Sequence, residues 1–186
     1  MRGCNVRGMR LAWFAVAVAV AACGTSTDDR PLTVQYVTDA ILRPTCGGAA
    51  CHSSFATNRG YVLDTVDGVR SAVLGTGGQL PLVGLGSVPA YDPDNPGNSE
   101  MIRWLTETDP DGKGIGRMPY DAPMPNEDIR FLENWIAAAA PGAQCDPDQP
   151  GGMGCNNMDL HVCNSDWTFG ALVMTCPTSC SQGLCQ

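Results

Sequence analysis

The sequence predicts a mostly α chain, in which a helical domain is followed by a small disulfide-rich β module. Two patterns carry that expectation. Between residues 33 and 142, apolar side chains recur at helical spacing in four runs bounded by capping residues, Gly or Pro. From Cys145 onward, six cysteines fall within the last forty-two residues, where too little apolar surface remains to build a core without cross-links.

The first twenty-two residues stand apart from both units. Arg2, Arg7 and Arg10 precede an apolar run over 11–22, and its twelve residues fall short of the roughly 20 needed to span a bilayer. A basic start, a short apolar middle and small residues at the end read as a secretory signal that is removed on export. The run closes with Val20, Ala21, Ala22, Cys23 and Gly24, which resembles the lipobox of bacterial lipoproteins. That resemblance implies that Cys23 is acylated and becomes the first mature residue; an ordinary cleavage site beside an incidental cysteine is the alternative. Two or three acyl chains anchor a protein stably, whereas one is marginal. Residues 23–32 then form a polar leash. Gly24 is not the aspartate that retains lipoproteins at the inner membrane in some bacteria, so the expected location is the cell envelope, periplasmic or on the outer-membrane side.

Without residues 1–22 the chain has eight Lys and Arg against nineteen Asp and Glu, a net charge of −11. Such a surface disfavours nucleic acid and anionic lipid and would steer a basic redox partner. Of the ten cysteines, Cys4 lies in the signal and Cys23 at the anchor. The other eight form two groups, Cys46 with Cys51, then the six of the tail. This split divides the mature chain into domains over 33–142 and 143–186.

The helical elements follow in order. Val34, Val37 and Ile41 recur at helical spacing until Pro44. Asp64 is a candidate cap for a helix carrying Val66, Val69 and Val73 and leaving at Gly75. Residues 75–98 read as a Gly- and Pro-rich loop. Asn98 or Ser99 opens a third helix with Met101, Ile102 and Leu105 inward. Asn126 is the expected cap of the last helix, with Glu127 and Asp128 in the first turn, Ile129, Leu132, Trp135 and Ile136 on one side, and Pro141 at the end. Trp104 and Trp135 read as core residues. Tyr36 is expected to meet the last helix. About 110 residues with four short helices make a thin core, which a large apolar cofactor would fill.

The chemistry concentrates in TCGGAACHSS, residues 45–54. A covalently attached haem needs two thiols to add across its vinyl groups and an imidazole beside the second thiol, usually written C-x-x-C-H. Here Cys46 and Cys51 enclose Gly47, Gly48, Ala49 and Ala50, and His52 follows, a C-x4-C-H variant whose small residues leave room for the wider loop. A disulfide between Cys46 and Cys51 is the competing reading. Zinc lacks an evident fourth ligand, and an oxidising compartment works against free thiols.

Over residues 33–142 the sequence resembles the cytochrome c superfamily, and more closely the planctomycete-type cytochrome c domains of exported bacterial proteins. The resemblance rests on order: a helix before the cysteine motif, Gly60 to Leu63 after it, DPDNPGNSEMI, the tripeptide RMP, and EDIRFLENWIAAAAPGA. It implies a cytochrome c-like helical haem domain with one covalent haem c per chain, His52 as proximal iron ligand and Met118 of RMP as distal ligand. Met118 in that role suits a His/Met centre, which raises the potential. Met124, also followed by Pro, is the rival and reads as a staple before the last helix. The acidic loops DPDNPGNSE and DPDGKG do not make EF-hands: Pro96, Arg103 and Lys113 stand where ligands are needed. No Ser-His-Asp set or phosphate loop is present in the sequence.

In the tail, Cys145, Cys155, Cys163, Cys176, Cys180 and Cys185 imply three disulfides, for which fifteen pairings exist. Alternation around Leu160 and Val162 and again over 167–174 predicts a β-ribbon. The segment resembles cysteine-rich modules attached to bacterial surface lipoproteins. His161 reads as a strand residue, with metal ligation as its alternative.

These readings combine into a membrane-anchored electron carrier without a substrate of its own, handing single electrons to a redox partner of unknown identity. A haem-free surface lipoprotein with a scaffold or adhesion role is the alternative, and a subunit of a larger redox enzyme is a third.

Overall fold

A computed structural model of the chain describes residues 28–75, 81–83, 94–110, 112, 114, 116–120, 122–148, 151–181 and 183–186. The expected signal over 1–22, the acylation site Cys23 and most of the loop expected over 75–98 lie outside these residues.

Helix α1 opens as Val34–Tyr36, widens into a π-helical stretch over Val37–Leu42, and closes as Arg43–Thr45. Thr33 caps it by accepting the Tyr36 amide at 3.2 Å. Where the helix widens, buried Thr38 gives its hydroxyl to the Val34 carbonyl at 2.8 Å and so competes with the backbone ladder. Val34, Val37, Ile41 and Leu42 face the core. Pro44 does not end the helix, which runs one residue further.

Helix α2 spans Val66–Leu74. Thr65 caps it, accepting the Gly68 amide at 3.1 Å, and Gly75 ends it in the left-handed conformation at φ 70°. Asp64, the expected cap, is occupied elsewhere: it accepts both the amide and the hydroxyl of Ser54 at 2.9 Å. Helix α3, Glu100–Thr106, starts from Ser99 and buries Met101, Ile102 and Leu105. Helix α4, Asn126–Ala137, starts one residue earlier than expected, because Pro125 occupies the cap position and Asn126 is already helical. It buries Phe131, Leu132, Trp135 and Ile136, while Ile129 is only partly covered. It stops at Ala137, where Ala139 and Ala140 turn to positive φ before Pro141. The rings of Tyr36 and Phe131 meet edge to face at 5.4 Å, joining α1 to α4.

The C-terminal residues form an antiparallel sheet in the order β1 (Met153–Asn156), β2 (Asp159–Cys163), β3 (Phe169–Thr175), and a ribbon of β4 (Cys180–Ser181) with β5 (Leu184–Cys185). Disulfides Cys145–Cys163, Cys155–Cys180 and Cys176–Cys185 staple it around a small core at Cys155, Leu160, Cys176 and Cys180. Arg70 on α2 reaches the C-terminal unit at Trp167 and is held to the end of the helical unit at Gly142. Its Nε donates to the Gly142 carbonyl at 2.9 Å, and its guanidinium lies 4.8 Å from the Trp167 ring.

The expectation of a mostly α chain is overturned. The helices are four and short among the described residues, and a three-stranded antiparallel sheet stands beside them. The chain is a mixed α and β protein. The physical reason is that Gly, Pro and Asp between the helical runs stop each helix after a few turns, while the cross-linked tail folds into five short strands joined by turns. No helix among the described residues is long and apolar enough to cross a membrane.

Candidate functional site

The cysteine motif forms a compact loop fastened to the end of α1. The amides of Cys46 and Gly47 both donate to the Leu42 carbonyl, at 2.7 and 2.8 Å, and the His52 amide donates back to the Cys46 carbonyl at 3.0 Å. Gly47 is needed for close approach, since a Cβ there would sit 2.9 Å from the Arg43 carbonyl oxygen and from the Asp64 Cβ. Gly48 has no such constraint; its nearest neighbour would be the Cys51 Sγ at 3.9 Å. The small residues of the motif therefore do more than leave room. One of them is required by the fold of the loop itself.

Beyond the motif the chain turns through Thr57 (φ 44°) and Arg59 (φ 54°). This turn presents the Asn58 carbonyl to His52 Nδ1 at 3.1 Å, and the Asn58 side-chain amide donates to the Ala50 carbonyl at 2.8 Å. With Nδ1 donating to that carbonyl, Nε2 carries the lone pair, the state a metal-binding imidazole requires. Burial lowers the His52 pKa below its ordinary value; the Asn58 carbonyl opposes that shift and Arg59 adds to it. The edge of the Tyr61 ring stands 6.1 Å from the imidazole.

His52 opens onto a cavity of about 350 Å³ between α1, the turn and α3. Leu42, Leu63, Leu82, Met101 and Leu105 give it apolar walls. Cys46 and Met118 also line it, so three of the residues singled out in the sequence share one cavity. A polar side is made by Arg59, Tyr61, Glu100 and Trp104. Trp104 is thus a wall residue whose Nε1 donates to Glu100 at 2.7 Å, whereas Trp135 is fully buried in the core. The Met118 amide donates to the Trp104 carbonyl at 2.8 Å, which ties the RMP segment to α3. The neighbouring Arg117 has a buried Nε with no partner.

Cys51 is exposed and does not line the cavity. Cys46 is half-buried, and burial raises its thiol pKa, so the protonated thiol is its resting form. Both are free thiols. Met124 does not reach the cavity; it is 3% exposed within the core of the helical unit. His161 lies on β2 with its Nδ1 3.1 Å from the Gly170 carbonyl and its ring packed on Phe169. Among the described residues there is no cluster of three or more His, Cys, Asp or Glu side chains suited to a metal ion.

The cavity wall also contains residues that periodicity did not single out. Arg59 and Tyr61 follow the motif in a segment without a helical or strand pattern, and Glu100 carried no signal beyond its place in the first turn of α3. Only the folding of the turn against α3 brings them together. No family model matches the chain, and neither a curated protein nor a solved structure matches it.

Proposed function

We propose that the chain is a c-type monohaem electron carrier, tethered at the cell envelope through Cys23. The observation that carries this reading is the convergence of Cys46, His52 and Met118 on one cavity that has leucine walls and one polar side. Its volume of about 350 Å³ falls within the range of roughly 300–1,000 Å³ usual for small-molecule sites.

The side chains present fit a haem. Its faces are apolar and match the leucines, and one of its edges carries carboxylates, which match the polar side of the cavity. The donors at the cavity are an imidazole with a free Nε2, a thioether and the Cys46 thiol, and the Cys51 thiol, not joined to it, is exposed outside the lining. In this reading Cys46 and Cys51 would be the thiols that hold it covalently, through its two vinyl groups. When bound, the haem supplies a one-electron iron couple, and a histidine–methionine pair raises its potential. His52, held by the Asn58 carbonyl, would be the proximal ligand and Met118 the distal one. The leucine walls lower the polarity around the site, which also favours the reduced state. With a net charge of −11 on the mature chain, a basic redox protein is the partner that electrostatics would steer to it.

The test is an absorption spectrum of the protein exported in cells equipped to attach c-type haem, followed by extraction with acidified solvent. A reduced c-type spectrum that stays with the polypeptide is the expected result. A colourless protein, with a loss of two hydrogens on the peptide containing Cys46 and Cys51, would mean that they form a disulfide and the carrier reading is wrong.

A further inference from the structure

The C-terminal sheet is guarded on one side only. The ribbon of β4 and β5 packs against β1, and Gly183 in its turn lies so close to the Met153 carbonyl that no side chain fits there. β3 ends the order on the other side, with no strand beyond it among the described residues. It runs for seven residues, Phe169–Thr175, without the charge or proline that usually blunts an edge. Leu172, Val173 and Met174 are 54%, 48% and 46% exposed.

A shift of register explains why three consecutive apolar side chains reach solvent. Met174 stands opposite Leu160 and Leu172 opposite His161, with Val173 as the extra residue between them. Leu160 and His161 are neighbours on β2 and point to opposite faces, so this bulge sets Met174 beside the small core and Leu172 on the outer face. The edge is therefore apolar on both faces.

The charge around it has one sign. From Cys145 to the last residue the chain contains Asp146, Asp148, Asp159 and Asp166 and no Lys or Arg. Two of these frame β3: Asp166 lies in the turn before Phe169, and Asp159 stands opposite Thr175 at the far end. Each accepts a hydrogen bond from a neutral hydroxyl at 2.6 Å, Asp166 from Thr168 and Asp159 from Thr175. Neither is in an ion pair among the described residues. Arg70, which acts on Asp166 through its field, is paired with Asp67.

We propose that β3 is a docking edge for an extended segment of a partner protein, apolar in its middle and carrying a Lys or Arg at each end. Such a segment continues the antiparallel ladder with its own backbone, packs its side chains on Leu172, Val173 and Met174, and brings its bases to Asp166 and Asp159. A second copy of this chain fits the edge poorly. Antiparallel pairing of β3 with itself would turn each Asp166 toward the other copy's Asp159, and parallel pairing would set like beside like, so charge opposes either arrangement. The site is separate from the cavity and does not rest on what the cavity holds.

The experiment measures hydrogen exchange over residues 169–175 of the full exported chain, with a peptide of alternating Val and Thr, matched to β3 in length, that ends in lysine on both sides. Its twin ends in glutamate. The lysine-ended peptide should slow exchange along β3 and bind about tenfold more tightly than the twin, the effect of two exposed ion pairs. Added salt should narrow the difference. Asp159→Asn combined with Asp166→Asn should abolish the preference while β3 still binds. Val173→Pro, at a bulge where proline is tolerated, should abolish binding and leave exchange along β1 unchanged; if that variant does not fold, Leu172→Lys, which places a repelling cation on the edge, decides. Exchange along β3 that the lysine-ended peptide leaves unchanged, or equal binding of the two peptides, would overturn the proposal. So would protection of β3 that rises with protein concentration alone, which assigns the edge to a second copy, or that appears on phosphatidylcholine vesicles and not with peptide, which assigns it to a lipid surface.

Discussion

His52 Nδ1 lies 3.1 Å from the backbone carbonyl of Asn58, six residues further along the chain. This single contact selects the tautomer of the ring and leaves Nε2 directed to other chemistry. It also has a pH consequence in the haem-free chain. The His52 pKa is lowered in the folded state, chiefly by burial, so the unfolded chain takes up the proton first as pH falls. Stability from this group is fully present above the unfolded value of about 6.5 and is lost as pH falls from there through the folded value. A denaturation series of the haem-free protein between pH 7.5 and about 5 should show that decline, and His52→Gln should flatten it. Equal slopes in the two proteins would assign the decline to other groups.

Met118 and Met124 differ in environment, and replacing each by alanine separates them. Met118→Ala removes a cavity-wall side chain and should abolish the methionine-to-iron absorption of the loaded protein and lower its potential, with little effect on folding. Met124 is 3% exposed in the core. Met124→Ala should destabilise by about 2–5 kcal/mol in chemical denaturation and leave the spectrum unchanged. The opposite pattern would reverse the two roles.

The two glycines of the motif should not be equivalent. An added methyl at residue 47 meets the Arg43 backbone and the Asp64 side chain, both at 2.9 Å, whereas at residue 48 it meets only the Cys51 sulfur at ordinary contact distance. Gly47→Ala is expected to cost about 1–3 kcal/mol, and Gly48→Ala much less. Thermal unfolding of the two variants checks this ordering, and similar midpoints would refute it.

Peptide mapping without reduction should give three linked pairs from the tail, Cys145 with Cys163, Cys155 with Cys180, and Cys176 with Cys185. Cys155–Cys180 closes the longest loop, with a separation of 25 residues against 9 for Cys176–Cys185. Replacing both cysteines of the longer pair by serine should cost more, on the order of 3 kcal/mol from loop entropy alone. A larger loss from the shorter pair would assign the stabilisation to local packing.

At the seam, Arg70→Ala removes both the bond to the Gly142 carbonyl and the contact with Trp167. A loss of roughly 1–2 kcal/mol is expected, with tryptophan fluorescence changing at Trp167. Unfolding of the two units at separate midpoints in the variant, but together in the wild type, would identify Arg70 as the coupling. Unchanged behaviour would leave that role to the backbone.

Much of the helical unit was legible because local rules and burial agree there. Met101, Ile102 and Leu105 are spaced for one helix face and are all buried, and Gly75 ends α2 as only a residue free to adopt positive φ does at low cost. The caps were less legible. Asp64 and Thr65 are both good caps in isolation, and what separates them is Ser54, ten residues earlier in the chain, which claims the Asp64 carboxylate. The mostly α expectation fails because the four helical runs are short and separated by turn-rich stretches, and the stapled tail adds five strands.

By itself the sequence determined the candidate residues and their order: two thiols, the imidazole beside the second, and Met118 well downstream, with six further cysteines confined to the tail. It left the disulfide pairing open among fifteen possibilities, and it left Met118 and Met124 as rivals. Tertiary structure gives the pairing and places Met118 at the cavity and Met124 in the core, because pairing and cavity lining depend on distances between residues far apart in sequence. It also decided that Cys46 lines the cavity while Cys51 is exposed, and that Arg59, unremarkable in any local pattern, stands against Trp104. Local spacing fixes which face of a helix a residue occupies, but only packing of the Thr57–Gly60 turn against α3 fixes what that residue meets.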